Sequence, residues 1–520
     1  MNNYSRTSDT AVSTPDSVAG LIAVRGAGST NELAFARGED GTQVTYGRLA
    51  EIAERWRRTL AEHELGRGVR VALAVQAPIA FTSTYLSLVA AGVTAVPLDP
   101  AAAPAEIADR LELLHATVLV TDREDLERLP CPVWSVDPDA ARVSPPRRRE
   151  RLVTPAPAVL LTSSGTTGVP KVVPLAERQL LYVAAQVTRH HRLDRHDRGY
   201  CPLPLYHVNA QVVGLLSTLV SGGSMVLDSK FHRTGYWDRL DEWRITWANA
   251  VPAILAILSR GERPREETSA RVRFARTGAA PLSGSIRSAF EEWCGVSALE
   301  TYGMSEAASQ ITANPLDESL RRTGSAGKPV GIELRVVDEH GRSCPEGVAG
   351  SVEIRGPSVI EHYIVPGPEE RARRAVDEDG WLVSGDVGFR DADGYVFLTG
   401  RADDMINRGG EKVFPREIED ILREDHSVVE VAVVGRPDPV LGECPVAYVI
   451  PRDGVEPAEL ANRLQQLSAR RLTPAKRPTR LLVVDSLPAG PTGKISRRRL
   501  PDENASTVRA ALQLGSARAS

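Results

Sequence analysis

The stretch AVLLTSSGTTGVPK, residues 158–171, decides the fold class of this chain. The apolar run 158–162 predicts a buried strand. It leads into consecutive small residues: Ser163, Ser164, Gly165, Thr166, Thr167 and Gly168. Glycines let the backbone approach a phosphate, hydroxyls donate hydrogen bonds to it, and Lys171 adds positive charge. Such a loop alone is more often an ordinary loop, but its density of Ser, Thr and Gly after a strand favours a nucleotide polyphosphate.

This loop is not a Walker A loop. Pro170 precedes Lys171 and Val172 follows it, so the GxxxxGK[ST] spacing fails. The sequence therefore predicts a different type of phosphate loop.

Around the loop, the chain alternates between strand and helix patterns. Residues 69–75 predict a buried strand, whereas 45–63 and 80–92 predict helices. The same rhythm continues after the loop to about residue 314. Such a rhythm is typical of parallel sheets with crossover helices.

The last third of the chain changes character. Residues 323–400 contain alternating runs separated by Gly and Asp turns, which predict antiparallel sheet. A small α/β unit is predicted from about residue 402, with a helix starting at Pro415 and a strand over 428–435.

Composition excludes several function classes. The 520 residues suggest two to four domains. The 63 Lys and Arg nearly balance the 67 Asp and Glu, which argues against a dedicated nucleic-acid binder. No membrane span or secretory signal is predicted. The five scattered cysteines predict free thiols in a reducing environment, so we expect a cytoplasmic protein.

Four motifs in one order carry a family resemblance. They are SSGTTGVPK (163–171), TYGMSEAA (301–308), the segment from GWLVSGD to PREIE (380–419) and GPTGKISRRRL (490–500). Together they resemble the adenylate-forming superfamily, which includes acyl-CoA synthetases, nonribosomal-peptide adenylation domains and firefly luciferases. This chain is most similar to the acyl-CoA synthetase branch.

The resemblance implies a particular α/β architecture. We expect a large N-terminal domain of two doubly wound α/β subdomains plus a small β-barrel-like subdomain, followed by a small mobile α+β C-terminal domain. The expected boundaries are a disordered tail over 1–20, the N-terminal domain over 21–401 and the C-terminal domain over 402–520. Asp403 matches the hinge position of the family.

The resemblance also implies site residues. Lys171 and the loop 163–168 would hold the phosphates of ATP, Glu306 would bind Mg²⁺, and Lys494 would stabilise the charge that develops during adenylation. Tyr302 would stack on adenine, Asp386 would accept the ribose hydroxyls, and Arg401 would reach the ribose or phosphate. His207 would lie near the acyl pocket. The rest of the expected ATP site comprises Gly278, Ala279, Ala280, Thr301, Gly303, Met304 and Ser305. Ser305 stands where the family usually has threonine and keeps the hydroxyl.

The reaction implied is a two-step acid–thiol ligation with ATP, Mg²⁺ and coenzyme A. A carboxylate would form an acyl-adenylate, and the thiol of coenzyme A would then displace AMP. Two alternatives remain open: a free-standing ligase that loads a carrier protein, and a non-catalytic adenylate-binding protein.

The sequence also suggests the class of acid. Gly278, Gly303 and Gly214 are small residues near the expected pocket, and no conspicuous cation marks it. A bulky aryl or alicyclic acid is therefore expected in preference to oxalate or another dicarboxylate.

Overall fold

The computed structural model describes residues 16–126, 129–136, 156–163, 171–367, 370–488, 495–502 and 505–514. The first group of strands is β1 (Leu33–Arg37), β2 (Gln43–Thr45), β3 (Arg70–Ala74), β4 (Thr94–Pro97), β5 (Val118–Thr121), β6 (Val133–Ser135), β7 (Val159–Ser163) and β8 (Lys171–Leu175). The second is β9 (Arg198–Cys201), β10 (Ser224–Leu227), β11 (Trp247–Ala250), β12 (Phe274–Thr277), β13 (Ala298–Met304), β14 (Ser309–Ala313) and β15 (Lys328–Pro329).

The remaining strands divide at residue 401. Before it come β16 (Glu333–Val337), β17 (Gly350–Arg355), β18 (His362–Val365), β19 (Arg371–Arg374), β20 (Leu382–Arg390) and β21 (Val396–Arg401). After it come β22 (Ile406–Arg408), β23 (Glu411–Val413), β24 (Val428–Asp438), β25 (Gly442–Pro451), β26 (Arg480–Val484) and β27 (Val508–Gln513).

The helices lie between these strands. They are α1 (Val18–Gly28), α2 (Tyr46–Glu62), α3 (Pro78–Ala90), α4 (Pro104–Leu113), α5 (Glu177–His190), α6 (Ser217–Ser221), α7 (Tyr236–Glu242), α8 (Pro252–Leu258), α9 (Glu266–Arg271), α10 (Gly284–Cys294), α11 (Pro415–Leu422) and α12 (Pro457–Arg471). A π-helix, Ala210–Leu216, leads directly into α6.

Two large sheets form the N-terminal domain. One has the order β15-β14-β13-β12-β11-β9-β10-β1-β2, and the other has the order β19-β18-β8-β7-β4-β3-β5-β6. Their central neighbours pair in parallel, including β11 with β12, β12 with β13 and β3 with β4. The predicted parallel sheets with crossover helices are confirmed.

The predicted antiparallel strands and the smaller C-terminal domain are confirmed, but the region 323–400 does not form one barrel-like unit, because β15 pairs with β14 and β18 pairs with β8, which joins these strands to the two large sheets. Strands β16-β17-β20-β21 form a four-stranded antiparallel sheet. The C-terminal domain holds a sheet with the order β23-β22-β25-β26-β27, in which β24 also pairs with β25. A large α/β N-terminal domain and a smaller α+β C-terminal domain are thus confirmed.

The hydrophobic cores divide near the predicted hinge. Buried residues of the N-terminal clusters run no further than Val396, whereas those of the C-terminal clusters start at Ile406. The 401/402 boundary, which we keep as a proposal, falls in this interval. Separate cores let two domains move as units.

Helix α2 has a capping residue and a buried apolar face that the sequence pattern explains. The Thr45 side chain accepts a hydrogen bond from the Arg48 N–H and caps the helix. Leu49, Trp56 and Leu60, spaced at helical intervals, are fully buried on one face. The helix predicted over 45–63 is confirmed.

One prediction at the N-terminus is wrong in extent. The tail was expected to reach residue 20, but α1 begins at Val18. The Ser17 side chain caps α1 by accepting from the Gly20 N–H, and Val18 and Ile22 are buried. A side-chain cap and two apolar contacts stabilise a helix start that polar composition concealed.

Two further sequence expectations concern cysteines and membranes. All five cysteines are free, and Cys201, Cys294 and Cys444 are buried. Among the helices that the structure describes, none combines the length and the apolar character needed to cross a membrane.

Candidate active site

The predicted phosphate loop is flanked by two paired strands. Strand β7 ends at Ser163 and β8 begins at Lys171, and these two residues are register partners in an antiparallel pair. Ser164, Gly165, Thr166, Thr167 and Gly168 lie outside the described residues. The two strand ends place the start and finish of the loop side by side.

A tyrosine links Lys171 to Glu306. The Lys171 Nζ lies 5.4 Å from the centroid of the Tyr363 ring, and the Tyr363 hydroxyl donates a 3.2 Å hydrogen bond to Glu306 Oε1. Strand β18 pairs with β8, where Ile364 opposes Val172, so Tyr363 is held beside the start of β8. Burial and the Glu306 carboxylate raise the pKa of Tyr363, which keeps its hydroxyl protonated. The structure therefore brings two predicted site residues together through a third.

A second cluster joins Tyr302, Asp386 and Arg401. Asp386 and Arg401 are cross-strand partners of β20 and β21, and Arg401 Nη1 lies 3.0 Å from Asp386 Oδ1. The Tyr302 hydroxyl donates a short hydrogen bond to Asp386 Oδ2. Burial and the Asp386 charge raise the pKa of Tyr302 well above its ordinary value. The Asp386 carboxylate is thus oriented from both sides.

Glycines at the site reflect close backbone approach. A Cβ on Gly303 would lie 1.7 Å from the Ser309 carbonyl oxygen, and one on Gly278 would lie 2.9 Å from Thr301 Oγ1. The expectation that these glycines enlarge the acyl pocket is therefore wrong, because neighbouring protein atoms fill the space. Gly214 differs, since its Cβ would lie an ordinary 3.7 Å from Cys201 Sγ.

The remaining predicted ATP-site residues form two adjoining segments. Gly278, Ala279 and Ala280 follow β12, and Ala279 has a left-handed φ of 67°. Thr301, Gly303 and Met304 belong to β13, and Ser305 begins the 3₁₀ turn that contains Glu306. The Thr301 hydroxyl donates to the Thr277 carbonyl at 3.0 Å, which ties the two segments together.

His207 follows β9 in the loop that enters the π-helix. Its ring centroid lies 4.3 Å from that of Tyr206, and its carbonyl accepts from the Gln211 N–H at 3.2 Å. It is partly buried. Its predicted position beside the acyl pocket stays a prediction.

The structure describes the predicted hinge residue but not the terminal lysine. Asp403 is exposed in the 3₁₀ turn Ala402–Asp404, which connects β21 to β22. An exposed turn between two cores is a suitable place for a change of backbone angles. Lys494 lies outside the described residues.

Sequence reasoning did not single out two residues near the predicted site residues. Tyr363 lies in no recognised motif and reaches Lys171 and Glu306 only through strand pairing. Arg276, two residues before Gly278, is buried in β12. A charged residue inside a short strand was the available signal, and the expectation that no cation marks the pocket stays a prediction.

A magnesium ion fits the oxygen chemistry of Glu306. Within the described ranges, no group of three or more His, Cys, Asp or Glu side chains forms a metal cage. One carboxylate beside a phosphate loop is the arrangement expected for Mg²⁺, which usually takes one or two protein carboxylates together with phosphates and water.

Comparison with known proteins places the chain in a family. Residues 22–364 match the family described as AMP-binding enzyme, and residues 417–494 match the AMP-binding enzyme C-terminal domain. The chain belongs to the AMP-binding enzyme family. The predicted adenylate-forming resemblance is confirmed.

Individual relatives indicate which kind of enzyme within the family this chain resembles. The chain is 36% identical to the sulfoacetate–CoA ligase of Cupriavidus necator, over 93% of this chain and 97% of the relative. It is 34% identical to the oxalate–CoA ligase of Arabidopsis thaliana, over 88% and 92%. The o-succinylbenzoate CoA synthetase of Bacillus subtilis, solved with its acyl-adenylate intermediate, is similar with a TM-score of 0.82, 26% identity and 94% and 99% coverage. Another structure of that synthetase contains ATP and a magnesium ion.

Proposed function

We propose that this protein is an AMP-forming acid–CoA ligase. It joins a carboxylic acid to the α-phosphate of ATP, releasing pyrophosphate, and the thiol of coenzyme A then takes the acyl group and releases AMP. The observation that carries the proposal is the assembly of Lys171, Tyr363 and Glu306 beside the phosphate loop. The family match and the CoA ligases among the relatives support the same reaction.

Each described residue has a role that its contacts allow. Asp386, oriented by Tyr302 and Arg401, accepts the ribose hydroxyls. Lys171 attracts the phosphates, and its position over the Tyr363 ring keeps it close to them. Glu306 would hold Mg²⁺, which when bound neutralises phosphate charge. Holding the reactants together supplies much of the rate enhancement.

The C-terminal domain supplies the second part of the proposal. Lys494 stabilises the charge that develops at the α-phosphate during adenylation. Rotation about Asp403, exposed between the two cores, then withdraws Lys494 and admits the thiol. The proposed domain boundaries, 21–401 and 402–520, place Lys494 on the moving part.

The relatives span two classes of acid. Sulfoacetate and oxalate, named in two relatives, are small acids with two anionic groups, whereas o-succinylbenzoate is an aryl acid that also carries two carboxylates. A bulky aryl acid therefore stays a proposal alongside a small one. We propose that His207 lines the acyl pocket, whether the acid is an aryl acid or a small one.

The test is acid-dependent exchange of pyrophosphate into ATP, followed by thioester analysis. Exchange with a carboxylic acid and a coenzyme A thioester are expected. Exchange followed by transfer only to a carrier protein would support the carrier-loading alternative instead. Nucleotide binding without exchange for any acid would show that the protein is a non-catalytic adenylate binder.

A further inference from the structure

Arg276 is a buried cation that no carboxylate of the described residues neutralises. Its side chain lies in β12 and only 2% of the residue is exposed. Burial lowers the pKa of its guanidinium to about 10, and no carboxylate among the described residues offsets that effect. Burying an unpaired charge is costly, so a group that neutralises it is expected at this point in the functioning protein.

The neighbours of the guanidinium are neutral amides. Nη1 donates to Asn209 Oδ1 at 2.8 Å and to Asn249 Oδ1 at 3.2 Å. The Nε atom is buried and has no hydrogen-bond partner among the described residues. An arginine offers five N–H donors, and the planar fork suits a two-oxygen anion. Part of that fork is therefore unused.

The sheet keeps a nearby carboxylate away from Arg276. On β13, Leu299 is the register partner of Arg276, whereas Glu300 is the partner of Thr277. Successive side chains of a strand point to opposite faces, so Glu300 and Arg276 lie on opposite faces of the sheet. Asn249, the partner of Arg276 on β11, shares its face. The strand register therefore excludes neutralisation by Glu300.

The position of Arg276 connects the two segments expected around the acyl pocket. Asn209, which accepts from Arg276, lies two residues after His207. On the other side, a Cβ added to Gly278 would lie 3.2 Å from Arg276 Nη1. The guanidinium is thus beneath the loop that follows β12 and beside the loop that follows β9.

Two buried glutamines near this face also have unused polar atoms. Gln211 Oε1 and both amide atoms of Gln310 have no hydrogen-bond partner among the described residues. Gln211 lies in the π-helix, which packs against β9, β11 and β14, and Gln310 lies in β14. Unpaired buried polar atoms favour a polar ligand over a purely hydrocarbon one.

We propose that Arg276 selects an acid that carries a second anionic group, a carboxylate or a sulfonate, and binds that group while the first carboxylate is adenylated. This inference rests on the proposed ligase function and names its substrate class. The second anion accepts hydrogen bonds from the free edge of the guanidinium and supplies the missing counter-charge. Arg276 is a substrate-binding residue that leaves the bond-making step to the nucleotide site.

The experiment uses matched acids and the full chain. The pairs are sulfoacetate with methylsulfonylacetate, oxalate with oxamate, and 4-carboxycinnamate with 4-carbamoylcinnamate, so that charge varies separately from size. Pyrophosphate exchange gives kcat/KM for each acid. We expect the anionic member of an accepted pair to exceed its neutral partner by about 10²-fold, since loss of one partner of a buried ion pair has an effect of this size.

Two variants assign that preference to Arg276. Arg276→Gln is expected to reduce the ratio within a pair to nearly one, mainly through the KM of the acid, with the KM of ATP unchanged. Arg276→Lys keeps the charge without the planar fork and is expected to retain part of the preference. The matched control is Arg273→Gln: Arg273, which precedes β12, pairs with Asp197 at 2.8 Å, and its loss should leave the ratio unchanged.

The outcomes separate this inference from the proposed function. Equal use of neutral and anionic acids, or an unchanged ratio in folded Arg276→Gln, overturns the role of Arg276 while the ligase function stands. Failure of every acid to support exchange overturns the ligase function and this inference with it. Preference for 4-carboxycinnamate over the small dianions assigns the second anion to an aryl acid.

Discussion

Two regions of the site handle charge in opposite ways. On the nucleotide side, formed by Lys171, Glu306, Tyr363, Asp386 and Arg401, the Asp386 carboxylate meets a cation at 3.0 Å and Glu306 accepts from a hydroxyl. On the proposed acyl side, the partners of Arg276 among the described residues are amide oxygens. On the nucleotide side, the partners within the protein orient the carboxylates for the ligand that we propose they bind. Where it buries a charge unpaired, we infer that the ligand completes the pair.

The largest expected effect comes from Lys494, the lysine of the terminal motif. Lys494→Ala should slow adenylation by about 10³-fold, because one donor to developing charge is lost. Transfer from supplied acyl-adenylate to coenzyme A should change little. Lys476→Ala, which removes a lysine 2.7 Å from Glu417, is the control and should leave both steps near the wild-type rate. An equal loss in both steps would contradict rotation about Asp403.

Asp386 tests the nucleotide side alone. Asp386→Asn should lower kcat/KM for ATP by about 10²-fold, because Arg401 and the ribose hydroxyls lose a charged acceptor. The preference between matched acids should be unaffected, the reverse of Arg276→Gln. Asp393→Asn breaks an exposed ion pair with Arg322 and serves as the control. A change in acid preference in Asp386→Asn would show that the two sides are not independent.

Glu300 is the carboxylate counterpart of Arg276 on the opposite face. Burial raises the pKa of Glu300 to about 7, although the Leu282 N–H donates to it at 3.1 Å. The folded state then holds a proton that the unfolded state releases at a lower pH, so stability falls as pH rises. Between about pH 5 and about pH 7.5 the contribution of Glu300 should fall by about 2 kcal/mol.

Denaturant unfolding at several pH values measures this contribution of Glu300 to the free energy of unfolding. Glu300→Gln removes the titration, so the difference between variant and wild-type stability should move in favour of the variant as pH rises. A difference that is constant with pH would show that Glu300 does not titrate as its burial requires.

Tyr363 gives the smallest expected effect. Tyr363→Phe removes the hydroxyl that donates to Glu306 but keeps the ring beneath Lys171. Loss of one hydrogen bond should raise the Mg²⁺ concentration for half-maximal pyrophosphate exchange by about fivefold. Tyr182→Phe, which removes a hydroxyl bonded to the Gly331 carbonyl at 2.8 Å, should leave Mg²⁺ dependence unchanged. An unchanged Mg²⁺ dependence in Tyr363→Phe would place the metal away from Glu306.

Much of the fold could be predicted because its signals are local. Helix α2 has a cap at Thr45 and buried residues at helical spacing, and β7 is an apolar run that leads into Ser163. The start of α1 could not be predicted from composition, since Val18 and Ile22 are buried by distant segments: the Val18 N–H donates to Glu177.

The residues of the candidate site also include some that could be predicted from local sequence and some that could not. Lys171, Glu306, Tyr302 and Asp386 lie in motifs whose small and polar residues are adjacent in the chain. Gly303 was found in its motif but misinterpreted, because only the structure shows the Ser309 carbonyl where a side chain would go.

The amino-acid sequence by itself predicted the phosphate loop between its strand and Lys171 and the parallel and antiparallel regions, because each depends on residues a few positions apart. The chemistry of adenylation followed from the resemblance of four motifs to a known family. The tertiary structure decided which charges are neutralised. Strand register puts Tyr363 against Glu306 and turns Glu300 away from Arg276, although Glu300 lies only 24 residues from it in the chain. Pairing across a sheet and alternation between its faces are properties of the folded chain.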